Sequence, residues 1–324
     1  MSKGFDIKSK MDSEQLKKFS SKLALVVVLL VIIVAMSFLS PVFLTSKNII
    51  NILRQISMNG IIAVGMTFVI LLGDIDLSVG SVVAVTSVIC GNLLQQGMNW
   101  LVVCLIALCV AIVYGAFNGL LIAYLNFQPF VATLATVTIG EGVALAYSDG
   151  RPYIISNPSF KQIGQGYLFG IPIPVIILII VCLIGYILLN KTTFGRYIFA
   201  TGGNKSAAKL SGVKTKRVEF SAYVLSAVCA CIVGFILSAR ISSGQPTAGD
   251  GYELDAIASV AIGGTSMNGG VGSLTGTFLG FILIGLLSNS MNLLNINSFY
   301  QQIVKGALII LAVFFDMKSK GKKK

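Results

Sequence analysis

The stretch Ile171-Pro172-Ile173-Pro174-Val175-Ile176-Ile177-Leu178-Ile179-Ile180-Val181-Cys182-Leu183-Ile184-Gly185-Tyr186-Ile187-Leu188-Leu189-Asn190 carries no charged side chain, and Lys191 follows it directly. A helix of about 20 residues rises about 30 Å, the thickness of a bilayer's hydrocarbon core. The run reads as a membrane span that ends at a basic loop. Apolar runs of similar length recur on both sides of it, at 22–40, 52–72, 77–95, 100–124, 129–147, 218–240, 254–268, 273–294 and 300–316. With 171–190 that makes about ten transmembrane helices in an all-α polytopic domain covering 22–316, flanked by basic tails at 1–21 and 317–324.

Composition supports the same reading. Hydrophobic residues make up 55% of the chain and charged residues 11%, whereas a soluble domain carries about a quarter charged residues. Length alone would suggest two soluble domains, but so few charges cannot solvate their surfaces.

The net charge of +12 comes from 24 Lys and Arg against 12 acids. Six basic residues fall in 1–22, seven in 191–217 and five in 318–324, so 18 of the 24 lie outside the apolar runs. Basic loops stay on the cytoplasmic side. An inside start and ten crossings put all three blocks inside together, and an odd number of crossings would not. The excess therefore reads as topology. No aromatic and basic interleaving points to nucleic acid.

The eighth run is the weakest, because Asp255–Ser266 is short and Gly269, Gly270 and Gly272 follow it. It reads as a half-helix or re-entrant segment facing the bundle interior. Gly276-x3-Gly280 and Gly115-x3-Gly119 permit close helix approach, either within the chain or in a dimer contact.

Enzyme chemistry finds little support. The chain has no histidine, no G-x-x-x-x-G-K-[ST] loop for phosphate and no nucleophile elbow. The six cysteines lie within apolar runs, which suggests neither a zinc site nor a disulfide framework. No cofactor or metal is expected on this chain.

A few polar residues stand out. Asp76 in Gly73-Asp74-Ile75-Asp76-Leu77-Ser78 can cap the third helix or serve as a gate, and Asp74 adds a second carboxylate that no cap requires. Glu141 lies well inside a span, paired with Thr136, Tyr147 or an arginine, or else facing a pathway. Asn289, Asn292 and Gln302 are pathway candidates or inter-helix ties. Arg54, Arg151, Arg240 and Lys305 fall near the outer surface, within reach of water. In the loop 191–217, Asn204 is a helix N-cap and Gly212 a terminator around a short helix, which makes an exposed docking surface for another protein.

That loop carries a family resemblance. Thr193-Phe194-Gly195-Arg196-Tyr197, with Gly202-Gly203-Asn204 and Ala207-Ala208-Lys209-Leu210-Ser211-Gly212, resembles the coupling loop of the ribose-type ABC transporter permeases. Further matches are Ile75-Asp76-Leu77-Ser78-Val79-Gly80-Ser81, Ala239–Gly249, Gly251–Ala258, Ile262–Ser266 and Tyr300-Gln301-x-Ile303-Val304-Lys305. The resemblance covers nearly everything after about residue 20 and implies a type II ABC importer permease fold.

By the same resemblance two permease copies work over a separate ATPase, which uses ATP and Mg. An extracytoplasmic sugar-binding protein delivers the solute, and the surrounding partner is membrane lipid. Gly203, Asn204, Ser206, Ala207, Ala208, Lys209, Leu210, Ser211 and Gly212 would form the ATPase-coupling loop. Asp74, Asp76, Ser78, Glu141, Asn289 and Asn292 are the gate or pathway candidates. Asp74 stands where this family usually has glycine. Ribose is the first substrate expected, with xylose, galactose, inositol or autoinducer-2 as alternatives within the family. Outside it stand an ion-coupled secondary transporter and a scaffold without transport activity.

Overall fold

A computed structural model describes residues 23–321, with side chains as far as Phe314. The basic residues of the N-terminal tail and 322–324 lie outside the described residues. The helices are α1 (Leu23–Leu39), α2 (Ser46–Leu71), α3 (Val79–Gln95), α4 (Trp100–Gly119, extended by a π turn Leu120–Tyr124), α5 (Pro129–Ser148), α6 (Pro158–Gln165) and α7 (Ile173–Lys191). Then follow α8 (Thr193–Gly203), α9 (Lys205–Leu210), α10 (Thr215–Ile241), α11 (Tyr252–Ile262), α12 (Leu274–Leu293) and α13 (Ser298–Gly321). Four two-residue strands make two antiparallel pairs: β1 (Tyr153–Ile154) with β4 (Ser243–Gly244), and β2 (Tyr167–Leu168) with β3 (Ile171–Pro172).

Six of these helices, α2, α4, α5, α7, α10 and α12, are long and apolar enough to cross a membrane, and α1, α3 and α13 hold shorter apolar stretches. Their roles differ by burial. The most apolar part of α2 is 83% buried and that of α4 only 22%. So α2, with α10 and α12, forms the centre, while α4, α5 and α7 turn apolar faces outward.

In lipid, apolar side chains gain little by leaving their surroundings, so close backbone packing carries more of the fold. Gly276 and Gly280 on α12 lie directly against the carbonyls of Gly263 and Ser259, and Gly115 and Gly119 on α4 lie against Tyr223, Ala227 and Phe220 of α10. Both small-residue pairs thus serve contacts within the chain. The Phe281 ring fills the space beside Gly60, where any Cβ would collide with it and with Leu178.

The eighth apolar run differs from the expected 254–268. At 11 residues α11 rises about 16 Å, roughly half a hydrocarbon core. Its approach is not helical: after β4 the chain runs through turns at 246–251, with Gly244 packed on Gly91, the Gln245 amide donating to Ser87 Oγ at 2.9 Å, and Gly249 packed on Gly80. Residues 244–249 thus descend alongside α3 before α11 starts. Irregular backbone at this depth is tolerated because protein surrounds it. Gly263 and Gly264 then end the helix, and Gly270 ties back to the end of α2 by donating to the Leu71 carbonyl at 2.8 Å.

The bundle has two dissimilar ends. One carries α6 and the paired strands. The other carries α8, α9, the end of α2 and the start of α10, and holds the basic cluster.

Candidate coupling surface and its links to the bundle

The loop 191–217 is more ordered than its sequence suggested. Its first half is α8, capped by Thr192, whose hydroxyl accepts from the Gly195 amide at 3.4 Å. Gly195 sits against the Leu189 carbonyl and Gly202 against the Leu71 carbonyl, so neither position has room for a side chain. Ile198 is buried, and the Phe194 ring stacks on Phe68 with centroids 6.0 Å apart. These contacts fix α8 to the end of α2.

The expected short helix is α9. Asn204 caps it, its Oδ1 accepting the Ala207 amide at 2.9 Å. Gly212 ends it with φ +83°, a left-handed conformation open to glycine. The Val213 amide then closes on the Ala208 carbonyl at 3.0 Å. Among the nine residues expected to dock, Ala208 is buried, while Gly203, Asn204, Ser206, Ala207, Lys209, Leu210, Ser211 and Gly212 are exposed. Leu210 is 90% exposed, an apolar side chain at the tip of a basic surface.

Three residues of α10, spaced four and three apart on one helix face, tie this surface to the core. Glu219 receives Lys205 of α9 in a 2.6 Å ion pair and is itself buried. Tyr223 donates its hydroxyl to Asp74 Oδ2 at 3.2 Å, and Ser226 donates to Asp76 Oδ2 at 2.8 Å. Counted from Thr215, Tyr223 and Ser226 lie about 12 and 16 Å up α10. The loop between α2 and α3 is therefore sunk into the bundle.

Around Asp76 the polar groups are well satisfied. Its Oδ1 accepts from the amide and hydroxyl of Ser78 at 3.0 and 2.6 Å. The expected cap is thus displaced by one residue, since Asp76 takes the amide just ahead of α3 rather than one in its first turn. Asn118 of α4 donates to Ser78 Oγ at 2.8 Å, Ser81 bonds Tyr114 at 2.9 Å, and Tyr114 donates to the Thr136 carbonyl of α5. Asp76 and Ser78 thus join α3, α4 and α10, with α5 reached through Tyr114. Asp74 differs, being only half-buried. Burial pushes its carboxyl up to about 7, the negative charge of Glu219 adds to the rise, and Tyr223 and Lys205 oppose it.

Other expected residues fall elsewhere. Glu141 lies on an exposed face of α5 and makes no hydrogen bond or ion pair among the described residues, so neither Thr136 nor Tyr147 pairs with it. Thr136 instead bonds the Thr133 carbonyl at 3.1 Å. Asn289 is buried in a reciprocal amide pair with Asn48, with bonds of 2.9 and 3.2 Å that tie α12 to α2. Asn292 accepts from Gln301 at 2.8 Å and links α12 to α13, while Gln302 is exposed. Lys305 does not reach for water as expected; it pairs with Asp255 of α11. Arg54 donates to the Gln165 carbonyl at 2.7 Å and lies 5.1 Å over the Tyr167 ring.

Sequence reasoning missed two acids, Glu219 and Asp255. Both sit at span edges, where an acid passes for a solvated end, yet both are buried and paired with lysine. Asp255 and Lys305 do fall inside two of the motifs that carry the resemblance.

With this arrangement in place, comparison with known proteins is decisive. Residues 48–313 match the family described as branched-chain amino acid transport system / permease component. The chain belongs to that permease family. This permease is 45% identical to the ribose import permease protein RbsC of Bacillus subtilis over 90% of its own length and 91% of the relative's. It is 41% identical to that of Haemophilus influenzae, covering 96% and 97% of the two chains. To the L-arabinose transport system permease protein AraH of Escherichia coli it is 39% identical, over 92% of each. No solved structure matches the permease. Its apolar helices and its family make it a multi-pass membrane protein of the inner membrane, a transport component that moves solute without altering it.

Proposed function

We propose that this permease carries ribose across the cytoplasmic membrane as the channel-forming part of an ATP-driven importer. Two copies form the channel, a separate ATPase binds the α8–α9 surface, and a binding protein delivers the sugar from outside. The ribose import names of several relatives support this substrate. ATP and Mg act on the partner, and this chain supplies the surface that receives the movement. About ten crossings, with the non-helical approach to α11 completing the eighth, put both basic tails and α9 in the cytoplasm.

One observation carries the mechanism: the stripe of Glu219, Tyr223 and Ser226 on α10. A push on α9 reaches Glu219 through Lys205. Because α10 is one continuous helix, Tyr223 and Ser226 move with it and draw on Asp74 and Asp76 at the base of α3. The carboxylates thereby transmit movement to the helices around the channel, and sugar selectivity resides largely in the binding protein.

The test is uptake of labelled ribose by vesicles holding the permease with its ATPase and binding protein. Leu210→Asp with Ala207→Glu should reduce ATP-dependent uptake by more than tenfold while the permease stays in the membrane. Unchanged uptake, or uptake that needs no ATP, would refute the proposal. An arabinose-binding partner that stimulates more strongly than a ribose-binding one would replace the substrate with the sugar named for the 39% relative.

A further inference from the structure

Beside α9, an open cleft of about 460 Å³ is lined by Lys205, Lys209, Lys214, Lys216 and Arg217, with Tyr124 in its apolar wall; it shares Ser206 and Lys209 with the docking surface but not Leu210. None of the residues lining it is acidic. Lys205 is matched by Glu219 behind it, and Lys216 lies 5.5 Å over the Tyr124 ring, which itself meets Phe220 edge-on. Among the described residues, the other three cations have no carboxylate partner. The cleft thus holds three cations that no described carboxylate of this chain balances.

What adjoins the cleft indicates its occupant. Tyr124 ends the π turn of α4, and Val113, Phe117, Leu120 and Tyr124, spaced four, three and four apart, form one exposed apolar stripe along that helix. Leu125 and Phe127 are exposed beside it. A cationic hollow at the foot of a lipid-facing apolar stripe complements a molecule with an anionic head and an aliphatic tail. A water-soluble acidic loop matches the charge alone and makes no use of the adjoining stripe.

We propose that this cleft is a binding site for an anionic glycerophospholipid of the inner leaflet. The headgroup phosphate sits among Lys209, Lys214, Lys216 and Arg217, and one acyl chain lies along Leu120, Phe117 and Val113. Basic pockets between helices on the cytoplasmic side suit such headgroups. The assignment rests on the orientation proposed above, and its consequence is that lipid composition bears directly on the position of α9.

Native mass spectrometry of the purified full-length permease, delipidated and titrated with phosphatidylglycerol or phosphatidylcholine, tests this without transport. It therefore stands or falls separately from the uptake assay. Phosphatidylglycerol should be retained at least tenfold better than phosphatidylcholine, and 10 mM inorganic phosphate should not displace it. The triple variant Lys214→Gln, Lys216→Gln, Arg217→Gln should lose that preference by roughly tenfold or more, given about fivefold per cation. Lys161→Gln on α6, at the opposite end, should keep it. If the triple variant does not purify as a single species, Lys214→Gln alone should weaken retention by roughly twofold to fivefold. Equal retention of the two lipids, or equal retention by the basic variants, overturns the site. Displacement by inorganic phosphate reduces it to a free-anion site and overturns the lipid. Variants that lose only ATPase association while keeping the lipid assign the cleft to the protein partner instead.

Discussion

The ammonium nitrogen of Lys305 lies within 2.9 Å of both carboxylate oxygens of Asp255, joining α13 to α11 across the bundle. Both side chains are largely removed from solvent. Deleting one partner strands a buried charge, at a cost of about 3 kcal/mol or more. Lys305→Met and Asp255→Asn should each lower the thermal unfolding midpoint in detergent, while the combined variant should recover part of the loss. Additive losses in the double variant would show that the pair does not couple.

Asp74 gives a dependence on pH. Its folded-state value, near 7, lies above the usual carboxylate value of 3.8, so the folded chain holds a proton that the unfolded chain has released. The associated stability is fully present below about pH 4 and is lost as pH rises through 7, falling by about 1 kcal/mol between pH 6 and 8. Asp74→Asn, uncharged throughout, should flatten that part of the melting curve against pH. A variant retaining the wild-type slope would place the titration elsewhere.

The amide pair of Asn48 and Asn289 yields a test of structure against pathway. Asn289→Leu leaves the Asn48 Oδ1 buried without its donor while Nδ2 keeps the Phe43 carbonyl at 2.9 Å, a loss of about 1–3 kcal/mol. Asn48→Leu with Asn289→Leu should lose less than the sum of the single changes, and ribose uptake by the double variant should stay within twofold of wild type. A large uptake defect in a stable double variant would return Asn289 to the channel lining.

Gly280 packs against the Ser259 carbonyl. Gly280→Val forces α11 off α12, an overpacking cost of about 1–3 kcal/mol. Lower thermal stability should follow, whereas Gly142→Val, at a position with nothing nearby, should be tolerated. Equal stability of the two variants would contradict the close approach.

Asn204→Ala removes the α9 cap, at a local cost of about 1 kcal/mol. Uptake should fall several-fold with the melting midpoint nearly unchanged, because α9 is exposed and peripheral to the core. Asn204→Ser should restore most of the activity. No rescue by serine would argue against capping as the reason for asparagine.

What was readable in the sequence follows from where the information lies. The long apolar spans and the Asn204–Gly212 helix were legible because hydrophobic length and end caps are local properties. The helix α8 was not, since Gly195, Gly202 and Gly203 make Thr193–Gly203 look like loop; Gly195 answers to the Leu189 carbonyl at the end of α7, and Gly202 to the Leu71 carbonyl, which is distant in sequence. The pairs Lys205–Glu219 and Asp255–Lys305 depend on tertiary meeting alone. The turns that lead into α11 show no periodicity to find, and only the shortness of the run after Asp255 hinted at them.

The eighth segment enters beside α3 as a short strand and a series of turns, so no ladder of helical bonds fixes its length there. Single turn bonds of 3.3 and 3.4 Å hold it above, and the stiff rod α11 follows below. With the Gly249 backbone lodged against Gly80, any slide of that rod would press directly on the first turn of α3, so the two helices share one hard stop.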